Sequence, residues 1–222
     1  MRKFSTTTPD ECRETVCGLI AEIRSLPQMD ISELIPEKTA LIIVDLVNGF
    51  VREGAMASPL IEDIVPKSAR LAEECKRRGI PVAALADCHK EDCAEFASFP
   101  KHCVENTSES ELVEELADGG YYIIKKNSTN GFHEKEFMHA LVSNPTVTSF
   151  VVVGDCTDIC VMQLCLTLKT WFTSQNRQSE IIVPINCVET YDSPDHNADF
   201  MNIAAYKLMK DSGVKFVSEI KF

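Results

Sequence analysis

No cluster of Lys and Arg of the kind that neutralises phosphates occurs in the sequence. Its 34 acidic residues against 22 basic ones leave a formal charge of −12, which argues against nucleic acid and anionic membrane as partners. No apolar run approaches the ~20 residues that cross a bilayer. The opening stretch MRKFSTTTPDEC turns polar where a signal peptide would turn apolar, so a cytoplasmic location is expected. Internal repeats, low-complexity tracts and long linkers are missing as well, which removes solenoid and multi-domain readings. What is present is a chain of 222 residues, 45% hydrophobic, long enough to bury one sizeable core. Its charge says little about a small neutral ligand, because a pocket holds such a molecule. Ten cysteines are scattered through apolar segments, as at Cys165 and Cys187, and they read as reduced thiols rather than a disulfide framework.

Six short runs rich in branched or aromatic residues read as buried strands: 39–45, 80–87, 121–126, 148–154, 180–186 and 214–219. Between them lie segments with helical spacing, at 61–79, 109–118, 133–143, 158–172 and 195–213. That alternation predicts an α/β fold, a three-layer doubly wound and mainly parallel sheet with helices on both faces. Residues 9–26 form one more amphipathic helix, joined to the first strand through Pro36. The expected division is an N-terminal helical extension over 1–38, packed on the body, and a single catalytic-size domain over 39–222.

Ligands of open parallel sheets gather at the carboxyl ends of the strands. There the sequence puts Asp45, then Asp87 with His89, then Lys125 and Lys126, and finally the run GDCTDIC ending on Cys160. Taken singly, a strand-end aspartate usually caps a loop, a lysine is usually solvated and a cysteine usually packs. Together they describe a thiol with a carboxylate and an ammonium beside it. Helix N-terminal amides and the ammonium favour the thiolate. Asp45 can take the thiol proton and return it to a leaving amine, and the backbone amides of Cys156 and Cys160 can face an oxyanion. Lys125 and Lys126 point to opposite sides of a strand, so only one can serve.

A second constellation lies in DCHKEDCAEFASFPKHC, residues 87–103. Asp87, His89, Glu95 and His102 combine carboxylates and imidazoles suited to zinc, manganese or iron. The plainer reading is a polar loop with two hydrogen-bonded histidines. Cys88, Cys93 and Cys103 are intermixed, but their spacing matches no zinc-ribbon pattern. Phe50 and Phe99 fall in loops beside this chemistry, where a flat apolar slot could sandwich a planar ring, whereas Phe96 reads as core.

DLVNGF at 45–50, DCH with FPKHC in 87–103, KNSTNGF at 126–132 and GDCTDICV at 154–161 resemble the nicotinamidase branch of the isochorismatase-like cysteine hydrolases. The likeness runs in order from about residue 39 to residue 192. It implies an Asp-Lys-Cys triad of Asp45, Lys126 and Cys160, the lysine being set by the spacing to Phe132. It also implies a cis peptide at Asp155–Cys156 with an oxyanion hole from the amides of Cys156 and Cys160. A divalent metal is implied at Asp87, His89 and His102, with Glu95 where many members have histidine; zinc comes first and manganese or iron are the alternatives. The expected activity is hydrolysis of the small molecule nicotinamide to nicotinate and ammonia through a cysteine thioester, a step of NAD salvage. The ring would lie between Phe50 and Phe99, with water activated by the metal or by Asp45. The alternative is another small amide or ureido substrate on the same triad. Members of the family are often homo-oligomers, which an acidic surface does not forbid.

Overall fold

Each run expected to be a strand becomes one in the computed structural model, which describes residues 8–222. The first seven residues of the expected extension lie outside the described residues. The chain opens with α1 (Pro9–Arg24) and β1 (Met29–Asp30), then β2 (Thr39–Val44), α2 (Asn48–Val51), α3 (Pro59–Glu62), α4 (Val65–Arg77), β3 (Val82–Asp87), α5 (Glu114–Ala117) and β4 (Tyr122–Lys126). It continues with α6 (Lys135–Ser143), β5 (Ser149–Gly154), α7 (Met162–Ser174), β6 (Glu180–Pro184), α8 (Ala198–Asp211), β7 (Lys215–Val217) and β8 (Ile220–Lys221).

Six strands form one sheet in the order β4-β3-β2-β5-β6-β7, every pair parallel. Alternating side chains feed two cores, as the period of two requires. Leu41, Ile43, Val151, Val153 and Ile182 join α4 residues such as Leu71 and Cys75 on one face. Ile42, Val44, Val152, Ile181 and Val183 pack on the other face against Leu164, Leu168 and Phe172 of α7 and Met209 of α8. Both faces are therefore buried, which is why these strands read as near-continuous apolar runs.

The helix α1 and the segment after it are tied to the far end of the chain. Leu19, Ile23 and Leu26 pack against the second core, Glu22 pairs with Lys210 of α8, and β1 lies parallel to β8. Among the described residues, no helix is long and apolar enough to cross a membrane.

One expected helix is mostly something else. Of 109–118, Glu109 and Ser110 end a 3₁₀ turn and only α5 is α-helical, because Leu112 and Val113 are drawn into the core in extended form. Leu112 bridges Val47 antiparallel, Asn48 N donates to Glu111 O at 2.9 Å and Val113 N to Leu46 O at 3.1 Å. Tertiary pairing overrides the helical spacing.

The chain lays β3 and β4 to one side of β2 and β5, β6 and β7 to the other, so the topological switch lies between β2 and β5. There Gly154, at φ +115°, lets the two strands meet. A Cβ on it would stand 1.9 Å from the Val44 carbonyl oxygen, so glycine is required.

Candidate active site

Asp45 follows β2 at φ +54°, a left-handed conformation that aspartate tolerates better than most residues. Its Oδ1 accepts from the Asp87 amide at 2.9 Å. Asp87 and Lys126 are direct partners in the β3–β4 register, and Lys126 Nζ donates to Asp87 Oδ1 at 2.7 Å. The same ammonium lies 2.9 Å from Asp45 Oδ2 and 3.6 Å from Cys160 Sγ. Lys126 is fully buried. Lys125 points the other way, 62% exposed, with Glu105 at 3.6 Å; the pleat alone separates the two lysines.

Cys160 sits in a π-turn, Thr157–Val161, between β5 and α7. The preceding Asp155–Cys156 peptide is cis. Gly154 and the turn are held from below by residues 188–190: Glu189 N donates to Gly154 O at 3.3 Å and Thr157 N to Glu189 O at 2.9 Å.

One ammonium here faces three buried carboxyl groups, Asp45, Asp87 and Asp155, and they divide accordingly. Burial works against the Lys126 charge, but Asp45 and Asp87 hold it firmly protonated. Burial also opposes the Asp87 charge, yet Lys126 and the imidazoles of His102 and His89 keep that carboxyl well below the usual range. Asp45 is pushed up by burial to about 7, against the pull of Lys126. Asp155 is raised well above the carboxylate range by burial and then by Asp45, and its Oδ2 has no hydrogen-bond partner. The Cys160 thiol also rises, through burial first; Lys126 offsets part of this while Asp45 and Asp87 add to it. Burial thus works against the thiolate that the helix start and the ammonium favour. Asp45 stands across the shared Lys126 ammonium from this sulfur.

Asp87 turns its second oxygen to the other constellation. His89 Nε2 lies 3.1 Å and His102 Nε2 3.3 Å from Asp87 Oδ2; both stand near Glu95 Oε1, at 3.7 and 3.8 Å. The four donor atoms fall within 4.8 Å of one another. His89 Nε2 is buried without a hydrogen bond. The outer nitrogens are occupied: His102 Nδ1 faces the Pro100 carbonyl at 2.6 Å, and His89 Nδ1 faces Asn127 Oδ1 at 3.3 Å and Cys93 Sγ at 3.4 Å. Outer partners of this kind turn the inner lone pairs toward a common point, as in metal sites. The spacing suits an ion bonded at ~2.0–2.2 Å to N and O donors, so these residues fit a divalent metal. Cys88, Cys93 and Cys103 are not among the four.

A narrow cavity of about 20 Å³ joins the two sets, lined by Phe50, Phe99, Asp87, His102, Cys156 and Cys160 among others. Phe50 and Phe99 flank the His102 ring, with centroids 5.3 and 6.4 Å from it. Phe96 instead stands edge-on to both imidazoles. Met56, Thr129 and Ile159 also line the cavity; no local pattern marked them, although Thr129 lies inside KNSTNGF.

Residues 39–211 match the isochorismatase domain. Over 214 residues the chain is 31% identical to nicotinamidase 1 of Arabidopsis thaliana, covering 82% of this chain and 86% of that protein. It is similar to the crystal structure of the pyrazinamidase of Pyrococcus horikoshii in complex with zinc, with a TM-score of 0.67, 26% identity, and coverage of 81% of this chain and 98% of that one. The N-carbamoylsarcosine amidase of Thermoplasma acidophilum gives a TM-score of 0.67 at 26% identity, over 81% of this chain and 95% of that one. With its sheet order, its strand-end residues and a match running through nearly the whole sheet, the chain belongs to the isochorismatase domain family.

Proposed function

We propose that this protein hydrolyses nicotinamide to nicotinate and ammonia, with Asp45, Lys126 and Cys160 as its catalytic residues, as a step of NAD salvage. One observation carries the reading: a buried ammonium touches a carboxylate on each side and a cysteine sulfur that lines a cavity shared with Phe50 and Phe99. The similarity to nicotinamidase 1 of Arabidopsis thaliana supports the substrate. Unpaired buried thiols, such as Cys75, Cys103 and Cys165, support a reducing, cytoplasmic setting.

The ring lies between Phe50 and Phe99 with its carboxamide carbon at Cys160 Sγ. As the sulfur attacks, Asp45 takes the thiol proton, the C–S bond forms and the carbonyl electrons move to oxygen. The amides of Cys156 and Cys160 stabilise that oxyanion. Lys126 keeps its charge throughout and holds Asp45 in place. Asp45 returns the proton to nitrogen, the C–N bond breaks and ammonia leaves a thioester. A water deprotonated by Asp45 then adds, the C–S bond breaks, and nicotinate and the thiol are released. Asp87, His89, Glu95 and His102 would hold a divalent ion, zinc first with manganese or iron as alternatives, which when bound supplies a Lewis-acid contact for the ring nitrogen.

The test is ammonia release from nicotinamide before and after chelation, with metal analysis of the same sample. Turnover that falls with metal content is expected, and Cys160→Ala is expected to abolish it while ring binding persists; an active Cys160→Ala enzyme overturns the reading. The similarity to an N-carbamoylsarcosine amidase favours a second reading, a ureido substrate on the same triad. Side-by-side turnover of the two compounds decides between them.

A further inference from the structure

The mechanism above leaves unused a buried carboxylate on the nucleophile's own turn. Asp158 stands two residues before Cys160, about half a helical turn away, and it is absent from the cavity wall that Cys160 lines. Its Oδ1 accepts from Thr190 Oγ1 at 2.7 Å, and its Oδ2 lies 2.9 Å from His196 Nε2. His196 is itself fixed: its Nδ1 lies 2.9 Å from the Tyr191 carbonyl, and its ring stacks on Tyr191 with centroids 3.9 Å apart and planes 9° from parallel. Both partners are shielded, the Asp158 side chain being 4% exposed and that of His196 13%.

The turn needs such support. A single π-turn is a rare departure from α-helix; here Ile159 and Val161 both donate to the one Cys156 carbonyl, each at 3.1 Å, and the Met162 N–H is shared by the Thr157 and Ile159 carbonyls. Regular α-helix begins only at Met162. The backbone anchor at Glu189 grips the turn at Thr157, and the Asp158 side chain adds a second hold one residue closer to Cys160. A carboxylate gripped by Thr190 and His196 fixes the back of the turn, and with it the direction in which Cys160 Sγ leaves the front.

We propose that His196 is a positioning residue that acts through Asp158, holding the π-turn so that Cys160 Sγ meets Lys126 and the cavity. The proposal rests on the reading of Cys160 as nucleophile. It assigns no proton transfer to His196, which reaches neither the cavity nor the triad.

The test compares His196→Ala, His196→Gln and Asp158→Asn with the parent in the metal-loaded full chain. Three quantities are read: kcat and KM for ammonia release, the rate of Cys160 carbamidomethylation by iodoacetamide followed on the Cys160 peptide, and Tm. A displaced nucleophile in His196→Ala is expected to lower kcat about tenfold or more, with KM within about twofold. Cys160 alkylation slows by a similar factor. His196→Gln, whose side-chain amide can still donate to Asp158, recovers most of both rates. A residue that only supports the fold would lower Tm and leave both rates per folded molecule unchanged. Folded His196→Ala with both rates within about twofold of the parent, or His196→Gln no better than His196→Ala, overturns the proposal. Where His196→Ala does not fold, Asp158→Asn must show the same paired loss, and unchanged rates there overturn it equally. Should the parent fail to turn over nicotinamide, the substrate reading falls while the alkylation comparison still judges the clamp.

Discussion

Replacing Lys126 by Met tests the electrostatic centre of the molecule. Methionine fills much of the same volume, so the change removes charge with little loss of packing. It leaves Asp45 and Asp87, both fully buried, without the ammonium that stands 2.9 and 2.7 Å from them. Breaking a buried ion pair from one side costs about 3–5 kcal/mol. Asp45, already raised to about 7 by burial, can take up a proton when the ammonium goes, which holds the cost near the lower end, about 3 kcal/mol. In a chain of this size each 1 kcal/mol moves Tm by about 2–4 °C, so a drop of about 6–12 °C is expected. The assay is thermal unfolding of the metal-free protein, repeated on Lys126→Met with Asp45→Asn. The double variant should regain part of the loss, because one of the two stranded charges is gone. A single variant that melts within about 2 °C of the parent would refute the account of Lys126 as a shared counter-ion.

Other expectations follow from the same geometry. Lys125→Ala, at an exposed position that pairs with Glu105, should leave turnover within about twofold of the parent; a large loss would show that the wrong lysine of the pair has been read as inward. Gly154→Ala drives a methyl group to 1.9 Å from the Val44 carbonyl at φ +115° and should cost more than about 4 kcal/mol, visible as loss of folded yield, so a normally melting variant would contradict the strand contact. Glu74, which Arg77 and Arg78 hold down at about 2 from an ordinary 4.5, supplies stability that is present above pH 4.5 and lost as pH falls toward 2. Accordingly, Glu74→Gln should melt below the parent at pH 6 and match it near pH 2; a gap of the same size at both would contradict this.

Much of the architecture could be read from the chain because parallel strands buried on both faces must be apolar almost throughout, as 149–154 and 180–184 are. The switch between β2 and β5 then directs attention to residues just past those strands. The gathering of Asp45, Asp87, Lys126 and Cys160 was legible for that reason. The choice between Lys125 and Lys126 was not decided by their residue type, since it depends on a register that residue identity does not carry. The upward push on the Cys160 thiol was not legible either, because it follows from burial and from two carboxylates supplied by other strands. The pairing of Asp158 with His196 spans 38 residues and leaves no local periodicity. Leu112 and Val113 read as helical until their long-range partners are known.

Asp87 gives one oxygen to Lys126 and the other to the two imidazoles. A single side chain is thus common property of the proposed nucleophile's neighbourhood and the proposed metal-binding set, and neither can be retuned in isolation. Recruiting a different ion would alter the negative charge that the ammonium sees, and a shift of the ammonium would alter the donor strength offered to the ion. Variation that widens the substrate range therefore has its freedom on the cavity's apolar side, at residues such as Met56 and Ile159, where a change of shape leaves the shared charges alone.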